Sequence, residues 1–202
     1  SSSAVDIYEK TASMLQQDDF RVQELLLKMN VEILCTTDDP LDDLTFHRAN
    51  KSKTKVLPTF RPDKLLNFQD SSKIQKYILD LGANTNNIIN SFETLLESIK
   101  SRHDHFHENG CRLSDHGLSH LPFKSCSRTE VERIFQRILI GQNLNEMDSE
   151  KLQTAILIEI CKMNHTRNWV QQFHLGPLRN TNRRMYSKLG ADSGFDSIGD
   201  FS

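Results

Sequence analysis

The chain has 202 residues, enough to bury a core in one large domain or two small ones. Its 37% hydrophobic and 26% charged residues are ordinary globular values, which sets aside disorder and a membrane class. A formal net charge of -2 argues against a dedicated nucleic-acid binder, and no run approaches the ~20 apolar residues of a membrane span. Ser1 to Ala4 lack the basic and apolar regions of a signal peptide. Cys35, Cys111, Cys126 and Cys161 show no C-x-x-C spacing, and Cys35 and Cys111 fall in strand-like runs, where buried thiols are expected. A reducing cytoplasm is the expected setting.

In chain order, residues 5–29 read as helix. Val22, Leu25, Leu26 and Met29 form a stripe at helical spacing, with Asp18 as a cap. Val31 to Thr37 is a β-branched run of strand length, ended by Asp38-Asp39-Pro40. A short helical piece around Leu41 and Leu44 leads to a second strand, Lys55 to Phe60, in which Pro58 is awkward for a ladder; Arg61-Pro62-Asp63 stands at its tip. Asp70 caps a helix over Ser71 to Leu81, with Ile74, Tyr77, Ile78 and Leu81 on one face and Gly82 just past its end. Asn90 with Glu93 reads as a capping pair for a helix through Phe106.

A short third strand, Cys111 to Ser114, ends in Asp115-His116-Gly117. Ser127 to Glu130 is a capping box before Val131, Ile134, Phe135 and Ile138, and Asp148 opens a helix carrying Leu152, Ala155, Ile156, Ile160 and Met163. The fourth strand is Trp169 to Phe173, with His174 at its tip, a Gly176-Pro177 stop, and a loop holding Arg179, Arg183 and Arg184. Strands separated by helices favour a parallel sheet, because parallel neighbours need crossover connections. In such a sheet all four polar tips face one crevice. No Gly-rich phosphate fingerprint follows the first strand, so a barrel is preferred over a nucleotide-binding doubly wound sheet.

Among the candidate groups, His103, His105 and His107 are read as a solvated last helical turn, where cationic side chains complement the helix dipole, in preference to a zinc pair on one face. His174 at a strand tip is read as a metal ligand or an acid/base group. Asp115 and His116 are candidates too, although neighbours on a strand point to opposite faces and one of them is expected to miss the crevice. Arg61, Arg179 and Arg184 together suggest a bidentate anchor for a carboxylate or phosphate. Asp38 and Asp39 fit turn chemistry and catalysis equally well.

TTDDP at Thr36 to Pro40, FRPDK at Phe60 to Lys64, GCRLSDHGL at Gly110 to Leu118, FHLGPLRNTNRRM at Phe173 to Met185 and LGADSGFDSIGD at Leu189 to Asp200 together resemble the uronate isomerase family, in the family's order and over nearly the whole chain. The resemblance implies an α/β fold of the metal-dependent hydrolase type, a partial (β/α)8 TIM-type barrel holding about strands two to five with their helices. Residues 1–202 would be a single segment from the middle of a longer chain, lacking the first His-x-His strand and the later strand with a metal-binding aspartate. It implies a divalent metal, often zinc, with His174 as ligand here. Arg61 and Arg179 would grip the substrate, with Arg184 beside them, and Asp115 and His116 would face the site as catalytic groups. Arg183 departs from the family pattern and receives no role, and His103 and His107 lie outside it. The implied reaction is aldose–ketose isomerisation of a hexuronate, such as glucuronate to fructuronate. A hydrolase of the same amidohydrolase superfamily and a non-catalytic interaction fragment are the alternatives. Unpaired strand edges would let the segment alone form a homo-oligomer, and alone it is expected to be inactive.

Overall fold

Four short strands run parallel and follow one another in chain order. They are β1 (Ile33–Cys35), β2 (Lys55–Leu57), β3 (Leu113–Leu118) and β4 (Val170–Leu175) in a computed structural model that describes residues 3–199, so Asp200 of the last motif lies outside the described residues. β1 pairs with β2 from Ile33↔Lys55 to Cys35↔Leu57, and β3 pairs with β4 from Leu113↔Val170 to Leu118↔Leu175. Phe60 joins the two pairs through parallel bridges to Asp38 on one side and Ser114 on the other.

Pro58 explains why β2 stops early and why the line of strands survives it. The N–H groups of Thr36 and Asp38 bond to the carbonyls of Leu57 and Thr59, at 3.0 and 3.1 Å, so the neighbours of the proline carry the β1 side. Alternate residues turn to β3, where Phe60 N bonds Leu113 O at 3.2 Å. The missing N–H of Pro58 therefore faces a stretch ahead of β3, where no ladder partner is required.

Helices fill the connections: α3 (Thr45–Ala49) between β1 and β2, α4 (Ser71–Thr85) and α5 (Phe92–Glu108) between β2 and β3, then α6 (Arg128–Leu139) and α7 (Glu146–Thr166) before β4. Their apolar faces are the ones the spacing predicts. Ile74, Tyr77, Ile78 and Leu81 are buried from α4, Val131, Ile134, Phe135 and Ile138 from α6, and Leu152, Ile156 and Ile160 from α7. Phe60 sits at the centre with no exposed surface, edge-on to Phe106 at 5.2 Å and His103 at 5.5 Å. None of the helices among the described residues is long and apolar enough to cross a membrane.

Several local expectations give way. The first 29 residues form two helices, α1 (Ala4–Leu15) and α2 (Val22–Lys28), separated by a 3-10 turn at Asp18–Phe20. Arg21 is extended there, so Val22 opens a short helix of its own and Met29 caps its end, and the two stand 73% and 70% exposed instead of lining a buried stripe. Gly82 lies inside α4, because a β-carbon there would meet the Asn87 carbonyl oxygen at 2.7 Å. Ser91 and Thr94, not Asn90 and Glu93, make the capping box of α5, and Glu93 instead pairs with Arg128. Asn145 caps α7, leaving Asp148 in the first turn to bind Arg137. Ser127 caps α6 as expected, while the Glu130 carboxylate turns away to Lys151.

Replacing Phe60 with Ala removes the side chain on which three strands and α5 meet. In the full-length protein it should cost about 3–5 kcal/mol in denaturant unfolding. A loss under about 1 kcal/mol would show that the packing around Phe60 collapses freely.

Candidate functional site

β3 runs further than its short apolar start suggests, so Asp115, His116 and Gly117 lie within the strand rather than beyond it. His174 likewise lies within β4, opposite Gly117. Side chains on a strand alternate, and this divides the candidates between two faces. Asp115 lies on one face together with His174 of the neighbouring strand, the imidazole Nδ1 being 2.8 Å from Asp115 Oδ1. Arg61, just past β2, reaches the same carboxylate, with Nη1 3.2 Å from Oδ2. Asp115 is 5% exposed and among the described residues its Oδ1 has no hydrogen-bond partner, so His174 meets the carboxylate as a close neighbour rather than as an aligned donor.

Arg61 has a second partner. Its Nε donates to Asp63 Oδ2 at 2.7 Å, and the Asp63 carboxylate also accepts from the backbone N–H of Gly117 at 3.2 Å. Partial burial pulls the Arg61 pKa down, but the bond and charge of Asp63 and the charge of Asp115 outweigh it and hold the guanidinium above its ordinary value. It is a fixed cation. The imidazole of His174 is half exposed, and its Nε2 lies 2.6 Å from the side-chain nitrogen of Gln172. Nδ1 is thus turned toward Asp115 and Nε2 away from it, beside Gln172.

His116 is on the opposite face, toward the helices, fully buried and stacked on Phe173 with ring centroids 5.2 Å apart. Its Nε2 is 3.0 Å from Ser114 Oγ, which also accepts from Asn164 Nδ2 at 2.8 Å. Asn164 Oδ1 in turn meets His103 Nε2 at 2.9 Å. The result is a buried polar chain between α5, α7 and β3. His103 stacks on Trp169 at 3.9 Å, and the Trp169 indole N–H donates to His107 Nδ1 at 3.0 Å. The expectation of a solvated histidine turn therefore fails for His103, which is 1% exposed and whose pKa burial holds below the ordinary value. The helical spacing of His103 and His107 was visible in the sequence, but an indole 62 residues away was not.

Arg179 is exposed and paired with Asp196, while Arg183 and Arg184 are exposed residues of the short helix α8 (Arg183–Leu189), not of a strand tip. Asp38 takes the Thr59 N–H at 3.1 Å and the Thr36 hydroxyl at 2.7 Å, and Asp39 takes the Tyr77 hydroxyl at 2.9 Å; both serve the turns after β1. All four cysteines are free thiols, Cys111 buried as expected and Cys35 exposed, since its strand lies at the outer edge of the described set. Among the described residues no three His, Cys, Asp or Glu side chains stand together in a way that could hold a metal ion. Sequence reading quoted Asp63 and Gly117 within motifs but gave neither a role; the signal for Asp63 was its place two residues after Arg61 at a strand end.

Parallel strands whose ends gather a guanidinium, two carboxylates and an imidazole define an α/β protein built to handle a polar small molecule at the carboxyl side of its sheet. Comparison with known proteins makes that class specific. The glucuronate isomerase profile matches residues 1–202, and the chain belongs to that family. The uronate isomerase of Cellvibrio japonicus is 41% identical over 204 residues, a match covering 99% of this chain and 43% of that protein. A uronate isomerase structure from Thermotoga maritima superposes with a TM-score of 0.85 at 31% identity, covering 98% of this chain and 44% of that one. The glucuronate isomerase structure from Caulobacter crescentus gives 0.81 at 27% identity, covering 96% and 41%. The chain thus spans less than half the length of the relatives it matches.

Burial pushes the His116 pKa from 6.5 down to about 4, against the opposing charges of Asp63 and Asp115. Below about pH 6.5 the unfolded chain takes up this proton and the folded one does not, so stability is full above that pH and falls on the way down to about pH 4. The loss should reach about 3 kcal/mol at most. Denaturant midpoints across this range should flatten in a His116→Gln variant of the full-length protein. Identical pH slopes in both proteins would contradict the assignment.

Proposed function

We propose that the full-length protein containing this chain is an aldose–ketose isomerase acting on hexuronates in the cytoplasm. Its four strands would be consecutive members, about the second to the fifth, of a (β/α)8 barrel, with residues 1–202 a single segment of it. Membership of the glucuronate isomerase family supports the reaction class. The parallel, sequential order of β1 to β4 supports the barrel, since each neighbour is reached by a helical crossover. The observation that carries the site is the carboxylate of Asp115, held between Arg61 and His174.

A divalent metal fits the chemistry of this arrangement. His174 has Nδ1 2.8 Å from a buried carboxylate and Nε2 turned outward beside the exposed Gln172, the usual orientation of a metal-bound imidazole with a carboxylate behind it. His174 Nε2 would be the ligand from this segment, displacing only the exposed Gln172 amide. Charge points the same way. Arg61 faces two carboxylates, Asp63 and Asp115, so the cluster alone carries a net negative charge, and a uronate is an anion. When bound, such an ion polarises the carbonyl and hydroxyl oxygens of the open-chain sugar and stabilises negative charge on them.

The chain's own groups do the rest. Arg61 has one terminal nitrogen on Asp115, and among the described residues Nη2 makes no hydrogen bond, so Nη2 is the donor for the substrate's carboxylate or hydroxyls. Anchoring the far end of the sugar brings C1 and C2 to a fixed place. Asp115 is the group placed to hold or move the proton that passes between those carbons through an enediol. His116 cannot reach the same face and supports the strand from behind. Arg179 and Arg184 remain assigned to substrate binding from the loop after β4, a role that requires Arg179 to leave Asp196.

In the full-length enzyme His174→Ala should lower bound metal and cut kcat at least about 100-fold, read by metal analysis and an isomerase assay on glucuronate and galacturonate. Unchanged metal content and turnover would remove His174 from the site. Arg61→Ala should reduce kcat/KM by an amount equivalent to about 2–4 kcal/mol. Unchanged kinetics would place Arg61 away from the substrate.

A further inference from the structure

We propose that Asp63 is a positioning residue for Arg61, and that position 117 is glycine so that the Arg61–Asp63 pair can lie across β3. The inference rests on the reading of Arg61 as the substrate anchor.

β2 ends before β3 does, so the N–H of Gly117 has no strand carbonyl on its β2 side. The Asp63 carboxylate takes that place, accepting from Gly117 N with both oxygens, at 3.2 and 3.3 Å. The same carboxylate receives Arg61 Nε at 2.7 Å. One side chain therefore ties the guanidinium to the backbone of the next strand. That tie leaves Nη1 for Asp115 and turns Nη2 over Gly117. A β-carbon at 117 would overlap Nη2 of Arg61 and come to 3.0 Å from Asp63 Oδ2. Both atoms end flexible side chains, so the guanidinium would be displaced while the strand stayed in place. Asp63 is not needed to close its own turn: Leu65 N bonds Pro62 O at 3.0 Å, and Leu66 N bonds the Asp63 carbonyl at 3.2 Å, both through backbone.

A free arginine side chain samples many rotamers, and a substrate that must order it binds more weakly. Fixing Nε leaves the terminal nitrogens aimed at one place, so loss of Asp63 should appear mainly in KM. A purely structural carboxylate would instead lower stability and act whether or not Arg61 is present.

The test is a double-mutant cycle in the full-length enzyme with a hexuronate as substrate. Asp63→Ala should lower kcat/KM roughly 10- to 100-fold, mostly through KM, and Asp63→Asn should lose less, since its amide oxygen still accepts from Arg61 or Gly117. In an Arg61→Ala background Asp63→Ala should cost less than about twofold more. Gly117→Ala should reproduce the KM effect while the melting temperature stays within a few degrees of the parent. Unchanged kinetics in Asp63→Ala, or the same loss with and without Arg61, overturns the proposal. If Arg61→Ala itself leaves kinetics unchanged, the anchor reading falls as well. A damaged Arg61→Ala enzyme with additive Asp63→Ala overturns this inference alone.

Discussion

The Asp115 carboxylate is the constraint on which the site depends. It is nearly buried, and a buried carboxylate is costly unless groups that favour its charge stand beside it. The partners come from different strands: Arg61 from the end of β2 and His174 from β4. Meeting the charge therefore brings three neighbouring strand ends into one arrangement. Asp63 extends it by tying Arg61 back to Gly117 on β3. Cation, carboxylates and imidazole hold one another in place before any substrate arrives, which is the preorganisation an active site needs.

Behind the strands, a second polar arrangement does different work. His103, Asn164, Ser114 and His116 form one buried hydrogen-bonded chain, and Trp169 stacks on its outer histidine. The hydrogen bonds of this network fix the relative placement of the elements that carry it, here α5, α7 and β3, although among the described residues His116 Nδ1 is left without a partner. Phe60 packs against His103 and Trp169 and joins β1 to β3 by its backbone. The residue after Phe60 is Arg61. Packing on the helix side thus sets the direction from which the guanidinium enters the crevice.

Much of the plan was legible in the residues. Apolar runs bounded by Asp-Pro, Gly and Asn located four strands in order, and helical spacing named the buried faces of α4, α6 and α7. Strand alternation warned that Asp115 and His116 could not both face the crevice, and they do not. What was missed depends on distant partners. The length of β3 is set by its register with β4, not by its own polar residues, so a strand was cut short at Ser114. The burial of His103 is invisible locally, because helical spacing is silent about Trp169. Arg179 and Arg184 follow the fourth strand in one polar stretch, and only the structure shows that Arg179 pairs with Asp196 and that Arg184 belongs to a helix. Asp63 had the right position and no distinctive pattern, since an aspartate after a proline at a strand end is ordinary turn chemistry.

Asp115→Asn in the full-length enzyme bears most directly on the shared carboxylate, because the amide keeps the shape and removes the charge. With a hexuronate as substrate, kcat should fall at least about 100-fold. An enzyme that keeps parental turnover with a neutral side chain at 115 would contradict the account.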